Sequence, residues 1–260
     1  MSSRGLEALA GMEYPGRVII MGRDPSGDHG VVVYAITGRS PSSQARRLIY
    51  DGQETVRSQG TDPEGIKEGN ERLLIYNCIR KFPDGLAVSN GTQTDLILET
   101  IEDLRDRGLH LAPTEILQRA FARPHVMAGI DLTSYEPDEP TFTTRISGCL
   151  MNGAALSMAK RAPDGTTERE YFEVPLSPGE GKLITTYAGA NVDPLPSFRG
   201  EPLSVQLEGR SAEEQAEAIY NCLAPKDPQK DFRVAVAVAF SHLRTSQMEV
   251  SIINRHAGEG

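Results

Sequence analysis

Apolar residues fall into short, often β-branched runs along much of the chain, and their spacing predicts strands more often than helices. Arg17–Gly22 (RVIIMG) and His29–Ile36 (HGVVVYAI) read as two strands joined into a hairpin by the turn Asp24-Pro25-Ser26-Gly27-Asp28. Leu48–Arg57 holds one or two strand fragments, and Ser58–Asn70 reads as a charged loop. Arg72–Asp95 then reads as two strands with polar ends: Tyr76-Asn77-Cys78-Ile79-Arg80 closes the first, and Ser89–Asp95 follows the second. From Thr94 the period changes. Leu96, Ile97, Ile101 and Leu104 fall on one side of a helix, with Thr92 or Thr94 placed to cap it and Gly108 to stop it. Pro113–Phe121 predicts a second helix with proline in its first turn.

The second half repeats the mixture. Thr141–Met151 and Ala154–Lys160 pair through the turn Asn152-Gly153, and Glu170–Val174 and Lys182–Tyr187 read as further strands. Ser211 to Glu214 is a capping box, opening a helix with Ala216, Ile219, Tyr220 and Leu223 on its apolar side. Phe232–Phe240 and Met248–Ile253 form a closing hairpin. Strands come in runs separated by helices, without β-α-β alternation, so the class is α+β with largely antiparallel sheets. FRVAVAVAF and RVIIMG are apolar on both sides, as strands covered on two faces are, which fits two sheets packed face to face with helices outside. Residues 1–13 read as a flexible leader and 14–260 as a single domain.

Composition narrows the function. The 260 residues are 38% hydrophobic and 24% charged, with a formal charge of −9. An acidic chain does not present the basic field that nucleic-acid binding needs, although a local arginine cluster can still hold a small anion. No apolar run approaches the roughly 20 residues that span a bilayer, and the N-terminus lacks a signal-peptide core; a cytoplasmic protein without a membrane partner is expected. Cys78, Cys149 and Cys222 are odd in number and far apart, and the five histidines show no paired spacing, so neither a disulfide framework nor a metal site is expected.

Strands whose tips carry amides, hydroxyls and charges suit a polar, planar small molecule, because a rigid scaffold then aims several directional hydrogen bonds. Each group also has an ordinary reading when taken alone. An arginine is usually a surface residue, Asn90-Gly91 is common turn chemistry, Tyr135–Pro140 is an acidic solvated loop, and Cys78 is a small buried apolar group.

Five segments in order carry a more specific signal. They are Tyr14-Pro15-Gly16-Arg17 with the strand to Arg23; Gly38-Arg39-Ser40; Tyr76-Asn77-Cys78-Ile79-Arg80; Ser89-Asn90-Gly91 with Thr94-Asp95; and Tyr135-Glu136-Pro137-Asp138-Glu139 followed by Thr144-Arg145-Ile146. Together they resemble the archaeal-type inosine monophosphate (IMP) cyclohydrolase family, with weaker similarity through Thr185-Thr186-Tyr187 and the helix after Ser211. The chain departs from that pattern by its leader, by extra residues between Leu104 and Asp131, by one more residue between Glu139 and Arg145, and by Gln93 where the family has histidine.

The resemblance implies a four-layer αββα sandwich of the N-terminal-nucleophile-hydrolase-like kind. It also implies closure of 5-formamidoimidazole-4-carboxamide ribonucleotide (FAICAR) to IMP with loss of water, without cofactor or metal. Residue chemistry then suggests roles. Arg39 beside Ser40 suits the 5′-phosphate; Asn77 and Asn90 suit the carboxamide and formamide groups. Tyr76 suits the developing oxyanion or a proton relay, Glu136 or Asp138 the base, and Arg145 charge stabilisation. Arg17, Arg80, Gly91, Asp95 and Thr144 complete the expected substrate contacts. Ser2 is disfavoured as an N-terminal nucleophile, since it lies on the leader away from any base. Two rivals stand beside this reading: another amidohydrolase or cyclase on a related nucleotide, and a non-catalytic nucleotide-binding module. The sequence leaves a homo-oligomer open.

Overall fold

The computed structural model describes residues 5–67 and 70–256; Ser2 lies outside them. In chain order the elements are α1 (Glu7–Ala10), β1 (Arg17–Arg23), β2 (His29–Thr37), α2 (Pro41–Gln44), β3 (Arg46–Tyr50), β4 (Thr55–Gly60), α3 (Pro63–Lys67), α4 (Glu71–Leu74), β5 (Asn77–Phe82) and β6 (Gly85–Ser89). There follow α5 (Gln93–Asp106), α6 (Pro113–Ala120), β7 (Val126–Met127), β8 (Ile130–Asp131), β9 (Arg145–Met151), β10 (Gly153–Arg161), β11 (Thr167–Val174), β12 (Glu180–Thr185), β13 (Leu203–Gln206), α7 (Ala212–Cys222), β14 (Arg233–His242) and β15 (Met248–Asn254).

Among the described residues one sheet has the order β13-β12-β1-β2-β14-β15 and a second the order β11-β10-β9-β6-β5-β4-β3, with a separate β7-β8 ribbon. The strand pairs are antiparallel throughout both sheets. The architecture is thus α+β with antiparallel sheets, as the runs of strands predict. β1, β2 and β14 lie inside the first sheet, which is why their sequences are apolar on both faces.

Side-chain alternation sorts these strands into two cores. Ile19, Met21, Val32, Tyr34 and Ile36 of the first sheet share a buried cluster with Val56, Cys78, Val88, Ile146 and Leu156 of the second. Contact is close: a Cβ on Gly30 would lie 2.6 Å from Leu150 Cδ2 of the facing sheet. Val18, Ile20, Val31 and Val33 point the other way and pack with Leu6, Leu9 and the α7 residues Ala212, Ala216 and Ile219. On the second sheet, Ala87, Cys149 and Ala155 pack with Leu96, Ile97 and Ile101 of α5 and Ile116 and Leu117 of α6. Among the described residues no helix is long and apolar enough to cross a membrane.

Several local expectations need correction. Arg72–Tyr76 is not strand: Asn70 caps the short helix α4, its side chain accepting from the Arg72 N–H at 3.2 Å, and β5 begins only at Asn77. Since β5 and β6 are antiparallel, the start of one and the end of the other still share one end of the sheet. Thr92 sits at the α5 N-cap position without a side-chain capping bond, and the Thr94 hydroxyl turns back to the Gly91 carbonyl. The leader, expected to be loose, is packed from its sixth residue. Leu6 is 2% exposed and Leu9 fully buried, because α1 and its N-cap residue Leu6 pack on the outer face of the first sheet. Leu9→Ala is expected to lower the unfolding free energy in urea by about 2–5 kcal/mol; a loss below about 0.5 kcal/mol, the size of a surface effect, would contradict a packed leader.

Candidate active site

One end of the two sheets carries a buried polar cluster. Arg17 opens β1 and shares the inward parity of Ile19 and Met21; Tyr34 lies on the inward face of β2; Arg46 opens β3 in step with inward Leu48. Tyr76 precedes β5 and meets Tyr34 hydroxyl to hydroxyl at 2.6 Å. Across the second sheet, Asn90 follows β6 and Arg145 begins β9. The loop before β9 lays Glu136 between them. Its carboxylate lies 3.8 Å from Arg17 Nη2 and 3.8 Å from Arg145 Nη1, and accepts from Asn90 Nδ2 at 3.3 Å.

The supports of this cluster are equally buried. Asn90 acts as an extra rung of sheet, its Oδ1 accepting from the Ile146 N–H at 2.8 Å and its Nδ2 donating to the Thr144 carbonyl at 3.1 Å. Asp138, the alternative base, is engaged within its own loop: it accepts from the Thr143 N–H at 2.6 Å and from the Thr143 hydroxyl. A carboxylate only accepts, so the Thr143 oxygen must itself accept from the Tyr187 hydroxyl 2.7 Å away. Tyr187 stacks on Tyr14 with ring centroids 5.6 Å apart. Gly91 leaves room for the arginine: a Cβ there would stand 2.9 Å from Arg145 Nη1.

Electrostatics follows from burial. Burial raises the Glu136 carboxyl above its ordinary range, against the pull of Arg17 and Arg145. It lowers the Arg145 guanidinium, with Glu136 opposing and Arg17 adding like charge. Burial also lowers Arg46, and neighbouring Arg17 adds to the effect. Burial pushes Tyr187 up to about 12, against the pull of Arg17. The buried side-chain polar atoms without a hydrogen-bond partner all belong to Arg17, Arg46, Gln93, Thr144 and Arg145, among the described residues. A cleft of about 320 Å³ reaches Arg145 between Arg72, Thr92, Leu132 and the β7-β8 ribbon, to which Arg72 Nη1 is tied through the Ala128 carbonyl at 3.0 Å. No group of three His, Cys, Asp or Glu among the described residues is arranged to hold a metal.

The expected site residues divide into three sets. Arg17, Tyr76, Asn90, Gly91, Glu136, Thr144 and Arg145 converge. Asn77, Arg80 and Asp95 form a neighbouring half-buried network, in which Asp95 accepts from Asn77 Nδ2 at 3.1 Å and from Arg80 Nη1 at 3.0 Å. Arg39 and Ser40 stay outside both. The exposed Arg39 donates to the Val192 carbonyl at 3.1 Å and pairs with Asp193 at 3.2 Å, while Ser40 caps α2. Arg46, Tyr34 and Tyr187 were missed. Alternation along HGVVVYAI was the available signal for Tyr34, since it shares a face with Val32 and Ile36. Nothing in the doublet Arg46-Arg47 says which arginine turns inward.

Residues 14–245 match the family described as IMP cyclohydrolase-like protein. The chain belongs to that family. IMP cyclohydrolase of Methanothrix thermoacetophila is 28% identical over 207 residues, covering 80% of this chain and 85% of its own. That of Methanopyrus kandleri is 31% identical over 176 residues, covering 67% and 75%. Among solved structures, Anbu from Hyphomicrobium sp. strain MC1 aligns over 92% of this chain and 88% of its own, with TM-score 0.34 and 10% identity. Within this family member Asn90 is the hinge between Glu136 and β9. Asn90→Ala leaves the buried Ile146 N–H without its acceptor, and a loss of about 1–3 kcal/mol in unfolding free energy is expected; unchanged stability would show that the Asn90 bonds do not brace the site.

Proposed function

We propose that this chain closes FAICAR to IMP. The observation that carries the reading is the convergence of Arg17, Tyr76, Asn90, Glu136 and Arg145 at one buried end of the sheets in a member of the IMP cyclohydrolase-like family. In the reaction the carboxamide nitrogen forms a bond to the formyl carbon and gives up one proton, the formamide nitrogen gives up the second as the carbon–oxygen bond breaks, and the formyl oxygen takes both and leaves as water. An amide is a weak nucleophile, so orientation is the first requirement; holding the two groups together supplies up to ~7–11 kcal/mol in ideal cases.

The residues meet the remaining needs as follows. Glu136, raised by burial, takes the carboxamide proton. Arg145 faces the charge that develops on the formyl oxygen, and the Tyr76 hydroxyl, backed by Tyr34, passes a proton toward it. Asn90 fixes Glu136 and the start of β9 together. Substrate contacts from Gly91 and Thr144 lie along the same rim. Asn77 and Arg80 both donate to Asp95 in the first turn of α5, and this network lies next to Tyr76 and supplies the remaining substrate contacts. A four-layer αββα arrangement of the N-terminal-nucleophile-hydrolase-like kind belongs to this reading; its support is that α1 and α7 pack on the outer face of one sheet and α5 and α6 on that of the other. The reading carries with it a cytoplasmic setting.

The test is direct assay with FAICAR, following IMP by absorbance. Turnover without added metal is expected. Tight IMP binding with no turnover would instead support a nucleotide-binding module. A base works when ionised, so kcat/KM should rise with pH through a limb that lies above the ordinary glutamate value of 4.5, because burial moves Glu136 upward. Glu136→Gln is expected to abolish that limb and lower kcat by about 10²–10⁴-fold; a variant that keeps both would remove Glu136 from the base role.

A further inference from the structure

The buried arginines among the described residues are Arg17, Arg46 and Arg145, and all three belong to this one cluster. The buried carboxylate that faces them is Glu136; Asp138 is half-buried and engaged by Thr143. Three guanidiniums against one carboxylate leave two positive charges in a desolvated space. A buried lysine relieves such a situation by losing its proton, but a guanidinium does not. Burying charge without a counter-charge is strongly unfavourable. The arrangement therefore suits a ligand carrying two negative charges.

Arg46 is the least matched of the three. It is 1% exposed, and its Nε donates to the Ser43 carbonyl at 3.0 Å. Nη1 and Nη2, the paired edge of the fork, have no partner. Its parity with inward Leu48 turns it toward the space between the sheets, where Tyr34 and Tyr76 meet. Arg17 and Arg145 each share Glu136, whereas Arg46 has no ion pair among the described residues. Two parallel N–H donors on a rigid plane match two oxygens of a phosphate.

We infer that Arg46, with Arg17 beside it, holds the phosphate monoester of the nucleotide, in place of the surface residue Arg39. This rests on the proposed function and names the anion site within it. The dianion balances the cluster when it binds, and the empty protein carries the imbalance as a cost in stability.

The test compares Arg46→Met and Arg46→Lys with the parent protein, using IMP and its phosphate-free nucleoside inosine as calorimetric probes. Arg46→Met is expected to weaken IMP binding about 10- to 150-fold while inosine binding stays within about twofold, since a charge-assisted bond contributes roughly 1.5–3 kcal/mol. Arg46→Lys should lie between. The ligand-free Arg46→Met protein should melt at or above the parent temperature, because an unmatched buried charge has gone; a structural arginine would lower it. Equal loss for both ligands, or no loss for IMP, overturns the assignment. Should Arg46→Met not fold, that also counts against it, and ³¹P NMR of IMP on the parent protein gives a separate reading. A phosphate held by two guanidiniums stays dianionic below the free value of about 6; one that titrates like free IMP contradicts the claim. Failure of the parent protein to turn over FAICAR would strike the proposed function instead, whatever the IMP-to-inosine ratio shows.

Discussion

The Glu136 carboxylate, set between Arg17 and Arg145 and fixed by Asn90, is the contact on which the proposed chemistry depends. It joins the inward face of one sheet to the first residue of a strand in the other. Neither arginine is at hydrogen-bonding distance from it, at 3.8 Å each, so the three groups are held in register by the scaffold around them. That scaffold is backbone: the Glu136 N–H bonds the Thr143 carbonyl at 2.9 Å, and Asn90 is bonded into the start of β9. A site built this way is preorganised, and its charges face a space from which water is largely excluded.

Such a site is possible because of the sheets beneath it. β1, β2 and β14 are apolar on both faces, so they lie flat between two cores and bring Arg17 and Tyr34 to a fixed height. The facing sheet brings Tyr76, Asn90 and Arg145 to the same end, because β5, β6 and β9 are antiparallel neighbours. Polar groups that would be costly elsewhere are tolerated there, and the unpartnered nitrogens of Arg17, Arg46 and Arg145 are concentrated at this end.

Much of this was legible in the chain. Hairpin turns at Asp24–Asp28 and Asn152-Gly153 and the helix-period residues from Leu96 to Leu104 gave the antiparallel α+β character, because local turn chemistry and periodicity govern those elements. The ordered segments around Arg17, Tyr76, Asn90 and Arg145 gave most of the cluster. Arg39 shows what residue chemistry leaves open. A hydroxyl-rich loop beside an arginine looks like an anion site, yet the side chain lies on the surface against Asp193, some 150 residues away along the chain. Arg46 is hidden in the opposite sense, since only the partnering of β3 with β4 and the facing sheet decides that it points inward. Leu6 and Leu9 looked like part of a tail because four residues of helix leave too little pattern to read.

The most direct measurement is a crystal structure with IMP bound. One nucleotide is expected at the end of the sheets, its base edge within hydrogen-bonding reach of Asn90, Glu136 and Arg145 and its phosphate against Arg46 and Arg17. IMP lodged on the Arg39–Ser43 surface, or at the opposite end of the sheets with the Glu136 cluster untouched, would contradict it.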